Sequence, residues 1–138
     1  MSQNQKKFEQ VRRLGLPAGH YLISGSGPMG VRNLRDIRDI DLAVSSELWN
    51  ELAEKYGIVE EKGIKKIVIG DLDIEAFGDD SFPVSEGPSV EERLAEAEVI
   101  DGLPFESIGN VLMYKRMQGR EKDLQDIELL ERWITKTG

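Results

Sequence analysis

The chain has 138 residues, of which 39% are hydrophobic, with 18 lysines and arginines, 26 aspartates and glutamates, and no cysteine. This composition predicts one folded domain with a sizeable core, and it excludes a second independent core, a disulfide framework and a thiolate zinc site. The net charge of -8 argues against a protein that binds nucleic acid mainly by neutralising phosphates. With no long apolar run and a polar N-terminus, we expect a cytoplasmic protein with neither a signal peptide nor a membrane partner.

The first half of the chain predicts one helix followed by most of a small sheet. Hydrophobic residues at helical spacing predict a helix from Gln5 to Leu14. A further helix is expected to begin at Ser45 or Ser46, which can cap it, and to end before Gly57. Short β-type runs predict strands over residues 20–24, 37–44, 58–61, 64–69 and 72–77.

The second half of the chain is predominantly helical in this interpretation. A capping box from Ser89 to Glu92 predicts a helix that runs to about Glu98. A hairpin is expected over 99–105, followed by helices over 107–118 and 121–135. In the last helix, four hydrophobic residues at helical spacing predict the buried side, namely Leu124, Ile127, Leu130 and Ile134.

These elements predict an α/β or α+β fold with a small mixed sheet flanked by helices. We expect one domain over residues 1–138, with an N-terminal helical part at 1–19, a sheet region at 20–78 and a helical C-terminal part at 89–138.

The segment Gly25-Ser26-Gly27-Pro28-Met29-Gly30 matches the dinucleotide-binding fingerprint G-x-G-x-x-G. In that fold the glycine turn opens a full crossover helix, and the ribose-binding acid ends the next strand. Here the segment from Gly30 to Asp36 has room for barely two helical turns. The candidate acids, Asp39 and Asp41, also come before the apolar residues 42–44 of their strand instead of after them. A dinucleotide-binding protein is therefore an alternative that the spacing disfavours.

Acidic residues alternate with apolar ones on two predicted strands. Asp39 and Asp41 flank Ile40, and side chains two apart on a strand point to the same side. Two such carboxylates repel each other unless a cation lies between them, and hard oxygen ligands suit Mg²⁺. The pattern is repeated on a later strand by Asp71, Asp73 and Glu75, which can supply the third carboxylate of a two-metal phosphoryl-transfer site. The alternative is a solvated strand face in an acidic protein.

The order of these features resembles the nucleotidyltransferases of the DNA polymerase β superfamily. A strand that ends in Gly25-Ser26 is followed, after twelve residues, by Asp39-Ile40-Asp41. Downstream, residues 97–105 and the Lys115 and Gly119-Arg120-Glu121-Lys122-Asp123 positions resemble small bacterial and phage members, relatives of the abortive-infection toxin nucleotidyltransferases. The resemblance covers about residues 20–133.

The resemblance implies a catalytic sheet region with C-terminal helices that close a nucleotide site. Its expected activity is the Mg²⁺-dependent transfer of a nucleoside monophosphate from a nucleoside triphosphate such as ATP to an acceptor hydroxyl. Gly25 and Ser26 are then expected to hold the triphosphate, and Asp39 and Asp41 to bind two Mg²⁺ ions. The third metal-binding and catalytic carboxylate falls on Glu75 or Asp73, with Glu75 preferred.

Four basic residues are candidate nucleotide contacts. Arg32 lies between the turn and the acids, and the resemblance adds Lys115, Arg120 and Lys122. Arg120 and Lys122 stand at the start of a helix, where the helix dipole disfavours a cation and a bound anion would explain one. Ordinary helix electrostatics, such as a Lys122 and Asp126 pair, is the alternative.

The identity of the triphosphate and of the acceptor stays open at this point. The acceptor can be an RNA end, a protein side chain or a small molecule. A catalytically silent nucleotide-binding module, or a regulatory module of the toxin-antitoxin type with a cognate partner protein, is the main alternative.

Overall fold

The computed structural model describes residues 1–84 and 87–137, over which the chain forms six helices and one seven-stranded mixed sheet. The helices are α1 (Gln3–Leu14), α2 (Gly27–Gly30), α3 (Ser46–Tyr56), α4 (Val90–Ala95), α5 (Ile108–Gln118) and α6 (Glu121–Thr137). The strands are β1 (Tyr21–Ser24), β2 (Ile40–Val44), β3 (Val59–Glu61), β4 (Ile64–Val68), β5 (Ile74–Phe77), β6 (Glu98–Ile100) and β7 (Leu103–Phe105). The mixed α/β content predicted from the sequence is confirmed.

The strands lie in the order β3-β4-β5-β2-β1-β7-β6. At the centre, β1 runs antiparallel to β2, and β2 runs parallel to β5. β7 returns from far along the chain to pair with β1 in parallel. The central strands β1 and β2 precede α3 in the chain, whereas β5 follows it. The register of these three strands determines which side chains meet.

The two faces of the sheet have different covers. One face packs against α1 and α3 through Phe8, Val11, Leu48 and Leu52, and this is the larger core. On the other face, α4 covers Leu22 and Ala43 through Val90. This second face is apolar only in part, since the strands carry polar residues next to the patch under α4.

Serine side chains determine where several helices begin. Ser2 and Ser89 form capping boxes at α1 and α4, and Ser45 and Ser107 cap α3 and α5. Because the Ser2 hydroxyl accepts the Gln5 amide, α1 begins two residues earlier than the hydrophobic spacing predicts. In the described residues, no helix has the length and apolar character needed to cross a membrane.

The buried side of α6 differs from the prediction. Leu130 is buried and Ile127 packs beside it against Met29, but Leu124 is 60% exposed and Ile134 is 37% exposed. Two inward positions, each one residue before a predicted one, belong to Asp123 and Asp126, which are buried. Two carboxylates therefore replace apolar side chains here because they have cationic partners inside the molecule.

The glycine-rich segment after β1 forms the short helix α2 itself, and not a turn before a longer helix. A Cβ on Gly27 would lie 2.3 Å from Ile23 Cγ2, and one on Gly30 would lie 2.5 Å from Ile37 Cγ2. These two glycines are needed for close packing. Because β1 and β2 are antiparallel, the segment also lacks the parallel strand-helix-strand unit of the dinucleotide fingerprint.

Candidate active site

A row of polar side chains crosses the centre of the sheet beside the α4 patch. The register places Ser24 opposite Asp41 on β1 and β2, and Asp41 opposite Glu75 on β2 and β5. Directly paired residues point to the same face, so these three side chains are neighbours. Glu106 extends the row beyond β1, since its Oε1 accepts a hydrogen bond from Ser24 Oγ at 3.1 Å. We call Glu106, Ser24, Asp41 and Glu75 the polar row.

Asp41 is the most strongly perturbed carboxyl of the row. The pKa of Asp41 is raised from 3.8 to about 6, chiefly by burial and then by the nearby charges of Glu75 and Asp39. The ammonium of Lys66 opposes this rise. The Asp39 and Asp41 pair predicted from the sequence thus lies together with a third carboxylate in a region that favours a cation.

The third carboxylate of this cluster is Glu75 and not Asp73. The Asp73 carboxylate lies 3.3 Å from Lys7 Nζ, and its side chain is 68% exposed. Lys7 belongs to α1, which covers the opposite face of the sheet, so Asp73 is drawn away from Asp41. The main-chain carbonyl of Asp73 contributes instead to strand pairing, because it accepts the Ile40 amide at 2.8 Å.

The glycine-serine turn lies against Asp41. Gly25 has φ +59°, and a Cβ at this position would lie 2.6 Å from Asp41 Oδ2. A side chain is therefore excluded here by both backbone conformation and space. Ser26 follows, and its hydroxyl does not cap α2. The turn and Asp41 are thus adjacent.

Lys66 is a member of this site that the sequence analysis missed. Its Nζ lies 2.7 Å from Glu75 Oε2 and 3.4 Å from Glu61 Oε1, and both carboxylates raise the pKa of the lysine. Lys66 therefore supplies one positive charge to a cluster of three carboxylates. The sequence places Lys66 on the same side of β4 as Ile64 and Val68. It does not indicate that β5, which carries Glu75, is the neighbouring strand.

The other end of the polar row holds a second missed group around the buried carboxylate of Glu106. Arg93 Nε donates to Glu106 Oε1 at 2.9 Å, and Asn110 Nδ2 donates to Glu106 Oε2 at 3.1 Å. Arg93 Nη2 also donates to Ser24 Oγ at 3.2 Å. An arginine on α4 is thereby fixed next to the strand that ends in the glycine-serine turn.

Arg32 has partners away from the acidic cluster. Its Nη2 lies 2.6 Å from Glu98 Oε2, and its guanidinium lies 5.0 Å from the centre of the Trp133 ring. Only 8% of the side chain is exposed, and burial lowers the pKa of Arg32. This arginine joins α2, β6 and α6, and its role as a nucleotide contact stays a prediction.

The C-terminal cations are also paired inside the molecule. Lys115 Nζ lies 2.8 Å from Asp126 Oδ2, which Arg35 also contacts at 2.7 Å. Arg120 contacts Asp123, which lowers the pKa of Asp123, and the Arg120 amide donates to the same carboxylate. At the basic start of α6, Arg120 therefore has an internal carboxylate partner, and the expected phosphate contact stays a prediction.

Lys122 is exposed at the start of α6. The structure brings none of Lys115, Arg120 and Lys122 into a contact with Asp39, Asp41 or Glu75 among the described residues.

The carboxylates fit a metal that is shared with a substrate better than one enclosed by protein. Across residues 1–84 and 87–137, no group of three or more acidic or imidazole side chains is arranged to hold a metal ion. Glu75 is turned to Lys66, which leaves Asp39 and Asp41 as the pair next to the turn. Mg²⁺ usually takes one or two carboxylates and completes its shell with waters and substrate phosphates. The donor set therefore suits Mg²⁺ in company with a phosphate ligand.

Comparisons of the chain with protein-family models, with curated proteins and with solved structures found no match.

Proposed function

We propose that the chain is a Mg²⁺-dependent nucleotidyltransferase, which transfers a nucleoside monophosphate from a nucleoside triphosphate to an acceptor hydroxyl. One observation carries this proposal: Asp41 lies beside Glu75 on the neighbouring strand and directly beneath the turn at Gly25. Asp39 adds a third negative charge close enough to raise the pKa of Asp41. Carboxylates next to a glycine turn supply the two elements that phosphoryl transfer needs, a place for cations and a surface for phosphates.

In this proposal the residues of the site divide the tasks of the reaction among them. Asp39 and Asp41 bind the metal ions, and Glu75 joins them when it leaves Lys66. Mg²⁺ held by these residues would supply charge to neutralise the phosphates and to lower the pKa of the acceptor hydroxyl. Gly25 allows the phosphates close to the backbone, and Ser26 donates its hydroxyl to a phosphate oxygen. The acceptor oxygen forms a bond to the α-phosphorus, the bond to pyrophosphate breaks, and Glu75 accepts the hydroxyl proton.

The test is label transfer from α-³²P nucleoside triphosphates to components of a total cell extract, with Mg²⁺ present. Asp39→Asn together with Asp41→Asn is expected to abolish the transfer. The matched control is Glu128→Gln together with Glu131→Gln, which removes two exposed carboxylates from α6. Equal label transfer by the wild type and the Asp39 and Asp41 double variant would refute the proposal. The labelled product also identifies the acceptor class, whether an RNA end, a protein or a small molecule.

A silent nucleotide-binding module is the second candidate, and the ion pair of Lys66 and Glu75 favours it. Nζ and Oε2 are 2.7 Å apart, so the third carboxylate already has a cation. Triphosphate binding without label transfer, in the wild type and in Lys66→Gln alike, would support this candidate over the enzyme. A partner protein would then be the expected target of regulation.

A further inference from the structure

We propose that Arg93 is a phosphate-binding residue of this site and that Glu106 holds it in position. The inference rests on the proposed nucleotidyltransferase function and adds to it the cation that contacts the triphosphate. None of the basic residues predicted from the sequence has this position.

The first argument is the place of Arg93 in the fold. Its Nη2 donates to Ser24 Oγ at 3.2 Å, and Ser24 is the strand partner of Asp41. Neighbouring strands are about 4.8 Å apart, so the guanidinium is bound to a side chain that lies about one strand spacing from Asp41 on the same face. Ser24 also directly precedes Gly25, the residue that contacts Asp41. A phosphate held by the turn therefore lies between the metal-binding acids and this arginine.

The second argument is the direction in which the guanidinium is open. Arginine has five N–H donors in a planar fork. Nε and Nη2 of Arg93 serve Glu106 and Ser24, while Nη1 makes no hydrogen bond to any of the described residues. The side chain keeps 16% of its surface exposed. One edge of the fork is thus fixed and another is available to an anion such as a phosphate.

The third argument is that a fully buried carboxylate, Glu106, binds this arginine. Glu106 is 0% exposed, and its oxygens accept hydrogen bonds from Arg93, Ser24 and Asn110. A buried ion pair is a poor means of stabilisation, since desolvation offsets much of the attraction. The Tyr114 ring, 5.2 Å from Arg93 Cζ, restricts the guanidinium further. Such a cation is preorganised, which lowers the entropy lost when it binds a phosphate.

Two other cations considered for the site, Lys66 and Arg32, have carboxylate partners of their own. Lys66 pairs with Glu75 at the opposite end of the polar row, and Arg32 pairs with Glu98. Arg93 therefore lies beside the turn, on the side away from Glu75, where it can contact a phosphate.

The experiment uses Arg93→Gln together with Glu106→Gln. Arg93→Gln alone would leave Glu106 as a buried charge without its partner, whereas the double variant replaces the pair by two amides. Thermal unfolding verifies that the variant is folded. Calorimetry then measures the binding of ATP, CTP, GTP and UTP with Mg²⁺, and of the monophosphate of the tightest binder. We expect triphosphate binding to weaken by about 10- to 150-fold, the equivalent of one lost charged hydrogen bond, and monophosphate binding to change little.

Arg116→Gln with Glu131→Gln is the matched control, because it removes a pair with an N–O distance of 3.2 Å between α5 and α6. Arg93→Lys is a second variant, which keeps a cation for Glu106 but loses the planar fork, and its triphosphate affinity is expected to fall by several-fold. If the wild type binds a triphosphate and both Arg93 variants bind it equally well, the Arg93 proposal is overturned and the nucleotidyltransferase proposal stands. If the wild type binds none of the four, both proposals are overturned.

Discussion

Replacing Asp41 by asparagine is expected to stabilise the folded protein at neutral pH in the absence of ligands. Asp41 is the carboxyl whose pKa rises from 3.8 to about 6, chiefly through burial and then through Glu75 and Asp39. A raised pKa means that the folded state binds the proton more tightly than the unfolded state does. Above pH 6, the ionised carboxylate therefore costs folding free energy, up to about 3 kcal/mol. Asparagine has a similar shape and no charge, so it removes this cost.

The stabilisation should depend on pH in one direction. As the pH falls from about 7 towards 4, the Asp41 carboxyl of the wild type becomes protonated in the folded protein, and the cost disappears. The free energy of unfolding of Asp41→Asn should exceed that of the wild type by about 2 to 3 kcal/mol at pH 7.5. The difference should fall below about 1 kcal/mol at pH 4.

Urea unfolding of the wild type and Asp41→Asn between pH 4 and pH 8 measures this difference. Asp71→Asn is a suitable control, since Asp71 lies exposed between β4 and β5 and its replacement should change stability by less than about 0.5 kcal/mol. An Asp41→Asn variant that is less stable than the wild type at pH 7.5 would refute the reasoning. A difference of equal size at both ends of the pH range would do the same.

Three further predictions follow from the site and from the C-terminal helices. Mg²⁺ with a triphosphate should raise the unfolding temperature of the wild type, and Asp39→Asn with Asp41→Asn should remove that gain, as thermal shift with and without ligand can measure. Lys66→Gln should raise the pKa of Asp41 above about 6, because it removes the cation that opposes the neighbouring acids, and carboxyl NMR titration measures this. Arg120→Gln should lower the free energy of unfolding by about 0.5 to 1.5 kcal/mol through loss of its carboxylate contact, whereas Lys122→Gln should change it little; equal losses in urea unfolding would contradict the pairing.

The acidic cluster was predictable because its signals are local. Alternation of acidic and apolar residues around Ile40 and Ile74 indicates which side chains share a face, and short β-type runs indicate the strands. The alternation alone does not separate Asp73 from Glu75, since both lie on the same side of one run, and the preference for Glu75 rests on the resemblance. Which of the two joins Asp41 depends on the pairing of β5 with β2 and on Lys7, which reaches Asp73 from a helix at the start of the chain.

The cations were the least predictable part of the site. Basic residues near a motif in the sequence predict nucleotide contacts, but long side chains pair with whatever carboxylate the fold brings near them. Arg93 and Ser24 are 69 positions apart, and only the parallel return of β7 beside β1 explains why Glu106 orients that arginine. No local pattern carries this information.

The positions of the carboxylates depend on the apolar residues between them. Ile40 and Leu42 on β2 and Ile74 and Ala76 on β5 are buried on the face opposite the polar row. A slip of one residue between these strands would expose that core and send Asp41 and Glu75 to different faces. The buried residues thus determine the separation of Asp41 and Glu75. The two carboxylates can therefore be replaced without loss of the sheet. A chain of this kind can exchange one chemistry for another through few substitutions, while a substitution at Ile74 would disturb every chemistry that the face supports.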